Sequence, residues 1–581
     1  MKSEKSDAKF IVVGGGLAGL MTTIRLAEAG RHVDIFSIVP CRRSHSVCAQ
    51  GGINASVNTK EEGDSPQIHF EETIYGGDFL ANQPMVKGMC EAAPEIIYMF
   101  DRFGVAFNRT REGSIDFRRF GGTKFHRTAF AGSTTGQQMM YALDEQVRRF
   151  ETEGLVKRYE GWEFLSAVID DTQTARGMVA IDLISLELKV FRADAVILCT
   201  GGVGMIYGRS TNSTICTGSA AGSVFKQGVW YANGEFVQVH PTAVPGEDKN
   251  RLMSEAIRGE GGRIWTVKDG KPWYFLEEMY PQYGNLVPRD IASRAIFKVC
   301  REMKLGIDAK DLVYLDISHL DPKALQTKLG GVIEIYEKFV GEDPRKVPMR
   351  IFPSVHYTMG GIYIDEKQAT NVPGIFAAGE CDYQYHGANR LGANSLLSCI
   401  YSGELASRRS IQYVESLSAS AQGISSKFFN QELRRQQEAN EKLMSLRGKE
   451  NPYLLWEEMA KYMTDHVTVI RKNSELRVTD QKLVELTDRL QDVNLNDTTN
   501  WVNQALIFTR ELENMLVLAR VITLGALARN ESRGAHYKPE FPERNDKEWL
   551  KTTVAKWTGR GIELSYESVD TSLIQPRERR Y

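Results

Sequence analysis

Three arginines and two histidines stand in separate turns of this chain, most of them glycine-rich. They are His240 in His240-Pro241-Thr242, Arg258 in Arg258-Gly259-Glu260-Gly261-Gly262, Arg289 in Val287-Pro288-Arg289-Asp290, His356 in His356-Tyr357-Thr358-Met359-Gly360-Gly361, and Arg390 in His386-Gly387-Ala388-Asn389-Arg390-Leu391. Singly, each has an ordinary structural role, since an arginine is most often an ion-pair partner. As a set they suit a small dianion, because a guanidinium is a planar fork that grips a carboxylate through two parallel N–H bonds. Two carboxylates held at opposite ends would fix the carbons between them, and such positioning can lower a barrier by roughly 7 kcal/mol or more.

Residues this far apart meet only if the fold returns the chain to one cleft. Phe10-Ile11-Val12-Val13 reads as a buried parallel strand, Leu20 to Ala29 as a helix closed by Gly30, and Val33-Asp34-Ile35-Phe36 as the next strand. Between the first two lies Gly14-Gly15-Gly16-Leu17-Ala18-Gly19, the GxGxxG of a β–α–β unit. Its glycines allow a tight turn and bring a pyrophosphate against the helix N-terminus. Where an acid commonly ends the second strand and binds a ribose, this chain has Ser37, which weakens an NAD reading. Ala193 to Leu198 is a further buried strand ending in Cys199-Thr200-Gly201-Gly202, placed to return to the nucleotide.

Shortly after the fingerprint comes Pro40-Cys41-Arg42-Arg43-Ser44-His45-Ser46-Val47-Cys48-Ala49-Gln50-Gly51-Gly52. His45 there has two readings: a solvated loop histidine, or one that touches or is bonded to a flavin ring.

The 581 residues exceed one ordinary core, and 42% apolar with 25% charged residues is a globular balance. A net charge of −2 gives no bulk electrostatic case for nucleic acid. The eight cysteines form no CxxC pair or zinc or iron–sulfur spacing, so they read as reduced and mostly buried. An onward electron carrier would then lie on another chain. Met1 to Lys9 is charged, unlike a signal peptide, and the apolar run Met515 to Ala528 is broken by Arg520 and too short to span a bilayer. The chain therefore reads as soluble.

Gly51 to Thr134 reads as irregular, with His126 and Arg127 either structural or near a ligand, and Thr135 to Phe150 as a helix. Glu235 to Thr242 alternates as a strand that halts at His-Pro. Asn394 and Ser395 are natural N-caps for a following helix. The division expected is a nucleotide-binding part at 1–242 and 356–420, an inserted cap at 243–355, a helical domain at 421–530, with helices over Phe428 to Leu446, Leu454 to Val469 and Asn503 to Ala528, and a tail at 531–581 with a solvated basic end, Arg577 to Tyr581.

These segments together carry a resemblance. Gly14 to Gly19, Arg43-Ser44-His45-Ser46, Gln50-Gly51-Gly52, His240-Pro241-Thr242, Arg258-Gly259-Glu260-Gly261, Arg289-Asp290, His356 to Gly361 and His386 to Leu391 are similar to the flavoprotein subunit of succinate dehydrogenase/fumarate reductase, the respiratory complex II family. The likeness extends over essentially the whole chain, including Glu531 to His536. It implies an α/β fold: a Rossmann-like FAD-binding domain with an inserted α+β capping domain, followed by a helical domain and a C-terminal tail domain. It implies FAD bonded through its 8α-methyl to an imidazole nitrogen of His45. FAD contacts are implied for Gly14, Gly15, Gly16, Leu17, Ala18, Gly19, Ser37, Arg43, Ser44, Ser46, Gln50, Gly51, Gly52, Gly201, Gly202, Glu380, Ser395 and Leu396. Ser219 stands where other members carry an acid after Thr217-Gly218. His240, Ser254, His356 and Arg390 would hold the substrate carboxylates, with Ser254 keeping the hydroxyl of a threonine found in some members. Arg289 would pass the proton, relayed through Glu255 and Arg258, and no metal site is implied. The partners implied are an iron–sulfur subunit, membrane-anchor cytochrome b subunits and a quinone, holding this chain on the cytoplasmic face of the cell membrane.

Two other readings compete. A soluble flavoenzyme with the same cap, such as an L-aspartate oxidase-like protein or a soluble fumarate reductase, would share Arg289 and Arg390; the former typically lacks a histidine at His45. A non-catalytic FAD-binding scaffold would leave the Arg/His set without a purpose.

Overall fold

The computed structural model describes residues 9–247, 249–559 and 561–580, so the charged start up to residue 8 and the terminal Tyr581 lie outside the described residues. A five-stranded parallel sheet runs in the order Ile375–Ala377, Ala195–Leu198, Lys9–Val13, His32–Ser37, Val156–Glu160. Phe10 to Val13 and Ala195 to Leu198 are apolar and buried because both faces are covered, one by the helices Leu17–Glu28 and Asn394–Ser416 and the other mainly by the antiparallel strands Trp162–Ile169 and Ala175–Asp182. The helix Leu17–Glu28 starts three residues earlier than its apolar spacing suggested, directly on the glycine turn. Gly14 has φ +113° and a side chain there would press its Cβ within 2.1 Å of the Cys199 carbonyl oxygen; at Gly19 it would come within 1.8 Å of the Gly14 oxygen. Helix and strands close this tightly only with glycine at both places.

A second, six-stranded antiparallel sheet runs in the order Arg251–Leu252, Val237–Val244, Met349–Thr358, Val313–Asp316, Arg263–Lys268, Lys271–Trp273. Its own apolar cluster includes Ile264, Phe275, Ile296, Leu315, Leu329 and Ile351. The strand bearing His240 does not halt at His-Pro. It runs on through Pro241 to Val244, with a shift of register between His240 and Ala243. Proline has no N–H for the ladder, so the bulge leaves Pro241 unpaired and turns His240 out of the regular register.

The stretch read as irregular holds two helices, Pro66–Gly76 and Gln83–Arg102. Ser65 caps the first by accepting the Ile68 N–H at 3.2 Å, and Pro94 inside the second disguises its periodicity. Arg127 is fully buried against Asp64 at 2.7 Å and Glu72 at 2.9 Å, while His126 bonds Glu62 on the surface, so both are structural. The helical region contains Ser426–Ser445, Pro452–His466, Gln504–Ala528 and also Asn473–Arg489, whose polar face hid it. In the tail, Lys551–Trp557 and Ile562–Ser568 form a hairpin in a four-stranded sheet with Tyr231–Ala232 and Gly361–Ile362, and the basic end expected to be solvated is so at Arg580 but not at Arg579, whose side chain is buried. No helix among the described residues is long and apolar enough to cross a membrane.

Candidate active site

Two cavities meet at His45. The first is lined by the Gly14 to Ala18 turn, Ser37, Ser44, Gly201 and Ser219; the second by Gln50 to Gly52, His240, Ser254, Arg289, His356 and Arg390. His45, Ser46, Glu380 and Cys399 line both.

The first cavity is shaped for a nucleotide. Gly16 precedes the helix Leu17–Glu28 and has no side chain to cap it, so apart from the Leu17 N–H the first-turn N–H groups face an anion's natural place. A Cβ at Gly15 would come within 2.5 Å of Cys41 Sγ and 2.9 Å of Ser37 Oγ. Ser46 Oγ accepts the Leu17 N–H at 3.3 Å, tying the His45 segment to this turn. Gly202 lines neither cavity: it makes room for Glu380, whose Oε1 would stand 2.4 Å from a Cβ there. Glu380 accepts the Thr358 N–H at 3.0 Å, and burial pushes its carboxyl up to about 7.

His45 is held from both sides. Its Nδ1 accepts the Ser213 backbone N–H at 3.1 Å, and Nε2 lies 3.2 Å from Asn212 Nδ2. Burial, and then the charge of Lys249, lower its pKa to about 4, so the ring is neutral at ordinary pH and, with Nδ1 accepting from Ser213, carries its proton on Nε2.

At the other end of the second cavity, charge is arranged around a gap. Arg390 is 2% exposed, lies 4.4 Å over the Tyr357 ring, and has its Nε buried without a hydrogen-bond partner. Burial, then the charge of Arg289, lower it to about 9. Arg289 Nε bonds Glu255 Oε2 at 2.5 Å and Nη1 bonds Gln238 Oε1 at 3.0 Å, which fixes the guanidinium plane and leaves Nη2 uncommitted among the described residues. Glu255 Oε1 accepts from Arg258 Nη2 at 2.6 Å, and Arg258 Nη1 donates to the carbonyls of Asn285 at 2.8 Å and Val287 at 3.1 Å. Burial alone would raise the Glu255 carboxyl, but Arg289 and Arg258 outweigh it and hold it below its ordinary value. Within this cluster the guanidinium groups of Arg258, Arg289 and Arg390 outnumber the one carboxylate of Glu255 by two positive charges; Glu380, Lys249 and Arg251 also line the cavity.

The histidines add hydrogen bonds and no charge. Burial, followed by the arginines, lowers His240 and His356 well below the usual histidine range. His240 Nδ1 accepts the Thr242 N–H at 3.2 Å, so the neutral ring carries its proton on Nε2. Its ring centroid is 4.9 Å from that of His356, whose Nδ1 sits 2.7 Å from Thr211 Oγ1. Ser254 Oγ accepts the Ala256 N–H at 3.2 Å at the cavity wall. A small dicarboxylate matches this donor set in charge, polarity and number of ends.

Ser395 and Leu396 line the same cavity in the first turn of the helix Asn394–Ser416. The cap of that helix is Ala393 at φ +64°, with no side-chain cap bond. Asn394 is turned inward instead, where its Oδ1 meets Asn54 Nδ2 at 2.7 Å and His69 Nε2 at 3.0 Å. A non-glycine residue in the left-handed region is held there by the surrounding bonds, as happens where a loop must be aimed.

Comparison with known proteins agrees with this arrangement. Residues 9–396 match the FAD binding domain family and residues 456–581 the fumarate reductase flavoprotein C-terminal family. Over 99% of each chain, the sequence is 64% identical to the succinate dehydrogenase flavoprotein subunit of Bacillus subtilis. The chain belongs to the succinate dehydrogenase/fumarate reductase flavoprotein family. A solved variant of the E. coli quinol fumarate reductase FrdA superposes with a TM-score of 0.92 at 34% identity, covering 98% of each chain. Mycobacterium smegmatis Sdh1 in complex with UQ1 gives 0.84 at 29% identity, covering 97% of this chain and 94% of that one.

Of the residues expected to contact FAD, Gly19, Gly202 and Arg43 line neither cavity; the two glycines serve close packing beside the first, against the Gly14 carbonyl and Glu380. Arg43 is exposed. Three residues missed in the sequence belong to the site. Gln238 orients Arg289 and also donates to the Arg390 carbonyl at 2.8 Å. Glu163 and Glu511 line the nucleotide cavity close to Ser219 and Ser37. The strand Trp162–Ile169 begins beside the end of His32–Ser37, where Gly161 N–H donates to the Ser37 carbonyl at 2.7 Å. Glu163, two residues on from Gly161, is thereby brought to the same cavity wall as Ser37, the place of the missing acid. Burial pushes Glu163 up to about 7, and burial with the charge of Glu163 raises Glu511 well above the carboxylate range.

Proposed function

We propose that this flavoprotein interconverts succinate and fumarate on a covalently held FAD. The observation that carries the reading is the surplus of two positive charges in the buried cluster of Arg258, Arg289, Arg390 and Glu255, beside a cavity that opens onto His45. The residues lining the first cavity, with His45, would hold FAD, which would supply hydride exchange with a substrate carbon held in the second. Arg390 and the His240 Nε2–H, with His356 and Ser254, hold the two carboxylates and orient the carbons between them. Arg289 donates or withdraws the proton on the adjacent carbon. Arginine is protonated in water, so donation during fumarate reduction is the natural direction, and Glu255 hydrogen-bonded to both Arg289 and Arg258 is the group that receives and returns the proton. The Ser213 N–H occupies the electron pair of His45 Nδ1, so the linkage would run through Nε2, which would give up its proton and its contact with Asn212 as the bond to the 8α-carbon formed.

Residues 243–355 act as the cap that closes the site, against a nucleotide-binding body of 1–242 and 356–420, with the helical and tail domains beyond. Electrons leave through an iron–sulfur subunit to membrane-anchor cytochrome b subunits and a quinone, and the complex holds this chain at the cytoplasmic face of the membrane. The soluble flavoenzyme reading is disfavoured by a histidine at position 45.

Arg390→Gln keeps much of the shape but loses the charged fork. Hydrogen bonds to a charged group contribute about 1.5–3 kcal/mol, so KM for succinate should rise about 10- to 150-fold with flavin content kept. An unchanged KM would take Arg390 out of substrate binding. At the nucleotide end, Glu163 and Glu511 would accept hydroxyl protons of the adenosine ribose. In a His45→Ser background, Glu163→Gln with Glu511→Gln should weaken retention of FAD by about tenfold or more, read by flavin fluorescence on dilution. Retention equal to that of His45→Ser alone would assign the pair to packing.

A further inference from the structure

The guanidinium of Arg579 lies between two carboxylates on different parts of the fold. Nη1 is 3.1 Å from Asp290 Oδ2 and Nη2 3.3 Å from Asp290 Oδ1, while Nη1 also stands 3.3 Å from Asp78 Oδ2. Asp290 follows Arg289 in the first turn of the helix Arg289–Phe297, which is fastened to the His240 strand where Ser293 Oγ donates to the Val239 carbonyl at 2.9 Å. Asp78 follows the helix Pro66–Gly76 of the flavin-binding body.

The tail that carries Arg579 is anchored on Asp78's side. Gln83 Oε1 accepts the N–H groups of Leu573 and Ile574 at 3.0 and 2.8 Å, Gln83 Nε2 donates to the Ile574 carbonyl at 2.8 Å, and Tyr75 Oη accepts the Arg580 N–H at 2.6 Å. Fixed on both sides of position 579, the chain reaches across to the cap helix with a buried side chain, 8% exposed, onto a carboxylate 1% exposed. Losing the contact would not orphan either acid. Asp290 keeps Arg294 at 3.3 Å, and Asp78 keeps Arg544 at 2.8 Å and the Gly534 N–H at 2.9 Å. The bond therefore does more to place the helix than to keep it folded.

We propose that Arg579 is a positioning residue: through Asp290 it ties the helix that begins at Arg289 to the flavin-binding body and so sets Arg289 against the substrate carbon. This rests on the proposed role of Arg289. A displacement of about 1 Å in a reacting group can cost on the order of 100-fold in rate.

The test uses the assembled enzyme with an artificial electron acceptor and four variants: Arg579→Gln, Arg579→Lys, Asp290→Asn, and Arg579→Gln with Asp290→Asn. Arg579→Gln should lower kcat for succinate by about tenfold or more, with KM moved far less and flavin content and unfolding temperature kept. Arg579→Lys should restore part of the rate, and the double variant should be no slower than the slower single, because both break one contact. Amide exchange of the helix Arg289–Phe297 should quicken in Arg579→Gln. A kcat equal to that of the unaltered enzyme, or single losses that multiply in the double, would overturn the proposal. If the unaltered enzyme does not oxidise succinate, the reaction assignment fails instead, and unchanged exchange in the helix would still overturn the tie.

Discussion

Arg289→Gln should lower succinate oxidation and fumarate reduction together by about 10²- to 10⁴-fold, the usual scale for loss of a general acid or base, while the protein keeps its flavin. Arg289→Lys should fare little better. Lysine retains a proton but is a flexible point charge without the fork that Glu255 and Gln238 lock in place. Both directions suffer because proton addition and removal share one transition state. The environment explains how a guanidinium can serve: its Nε faces a carboxylate that Arg258 keeps ionised, and burial of the set strengthens each of these interactions. Rates of reduction and oxidation measured on flavin-matched samples check this. Retained turnover would take Arg289 out of the mechanism.

His45→Ser should leave FAD bound but releasable on denaturation, and should impair succinate oxidation more than fumarate reduction. The glycine turn, Ser37 and Glu380 still line the cavity in that variant, so binding survives. What is lost is a substituent on the ring edge that raises the flavin potential, and succinate is a weak reductant, so oxidation feels the loss first. A denaturing gel viewed under ultraviolet light reads the linkage: fluorescence migrates with the unaltered chain and leaves the variant. Equal losses in the two directions would count against the redox role.

How legible the site was depended on what each residue has to do. Gly14 and Gly19 announce themselves because contacts with Cys199 and Gly14 carbonyls permit nothing larger. Arg289, Arg390, His240 and His356 were visible through the motifs around them; the turns expected there proved to be strands at His240 and His356 and a helix start at Arg289, and the structure gathers all four around one cavity. Gln238, Glu163 and Glu511 carried no such mark. Each is one polar residue in an ordinary strand or helix, and only tertiary packing brings it to the site. Arg579 was masked by its company: in the basic run Arg577 to Arg580 nothing separates the exposed Arg580 from the buried Arg579, whose partners Asp290 and Asp78 are distant in sequence. The two helices between Pro66 and Arg102 were lost because an internal proline and glycines outweighed apolar spacing.

The most direct measurement is anaerobic titration of the purified, flavin-loaded protein with succinate, following the visible flavin band. The band should bleach with succinate and return on addition of fumarate, in samples whose flavin stays with the denatured chain. A band indifferent to succinate but bleached by L-aspartate would contradict the assignment and support the soluble amino-acid oxidase reading instead.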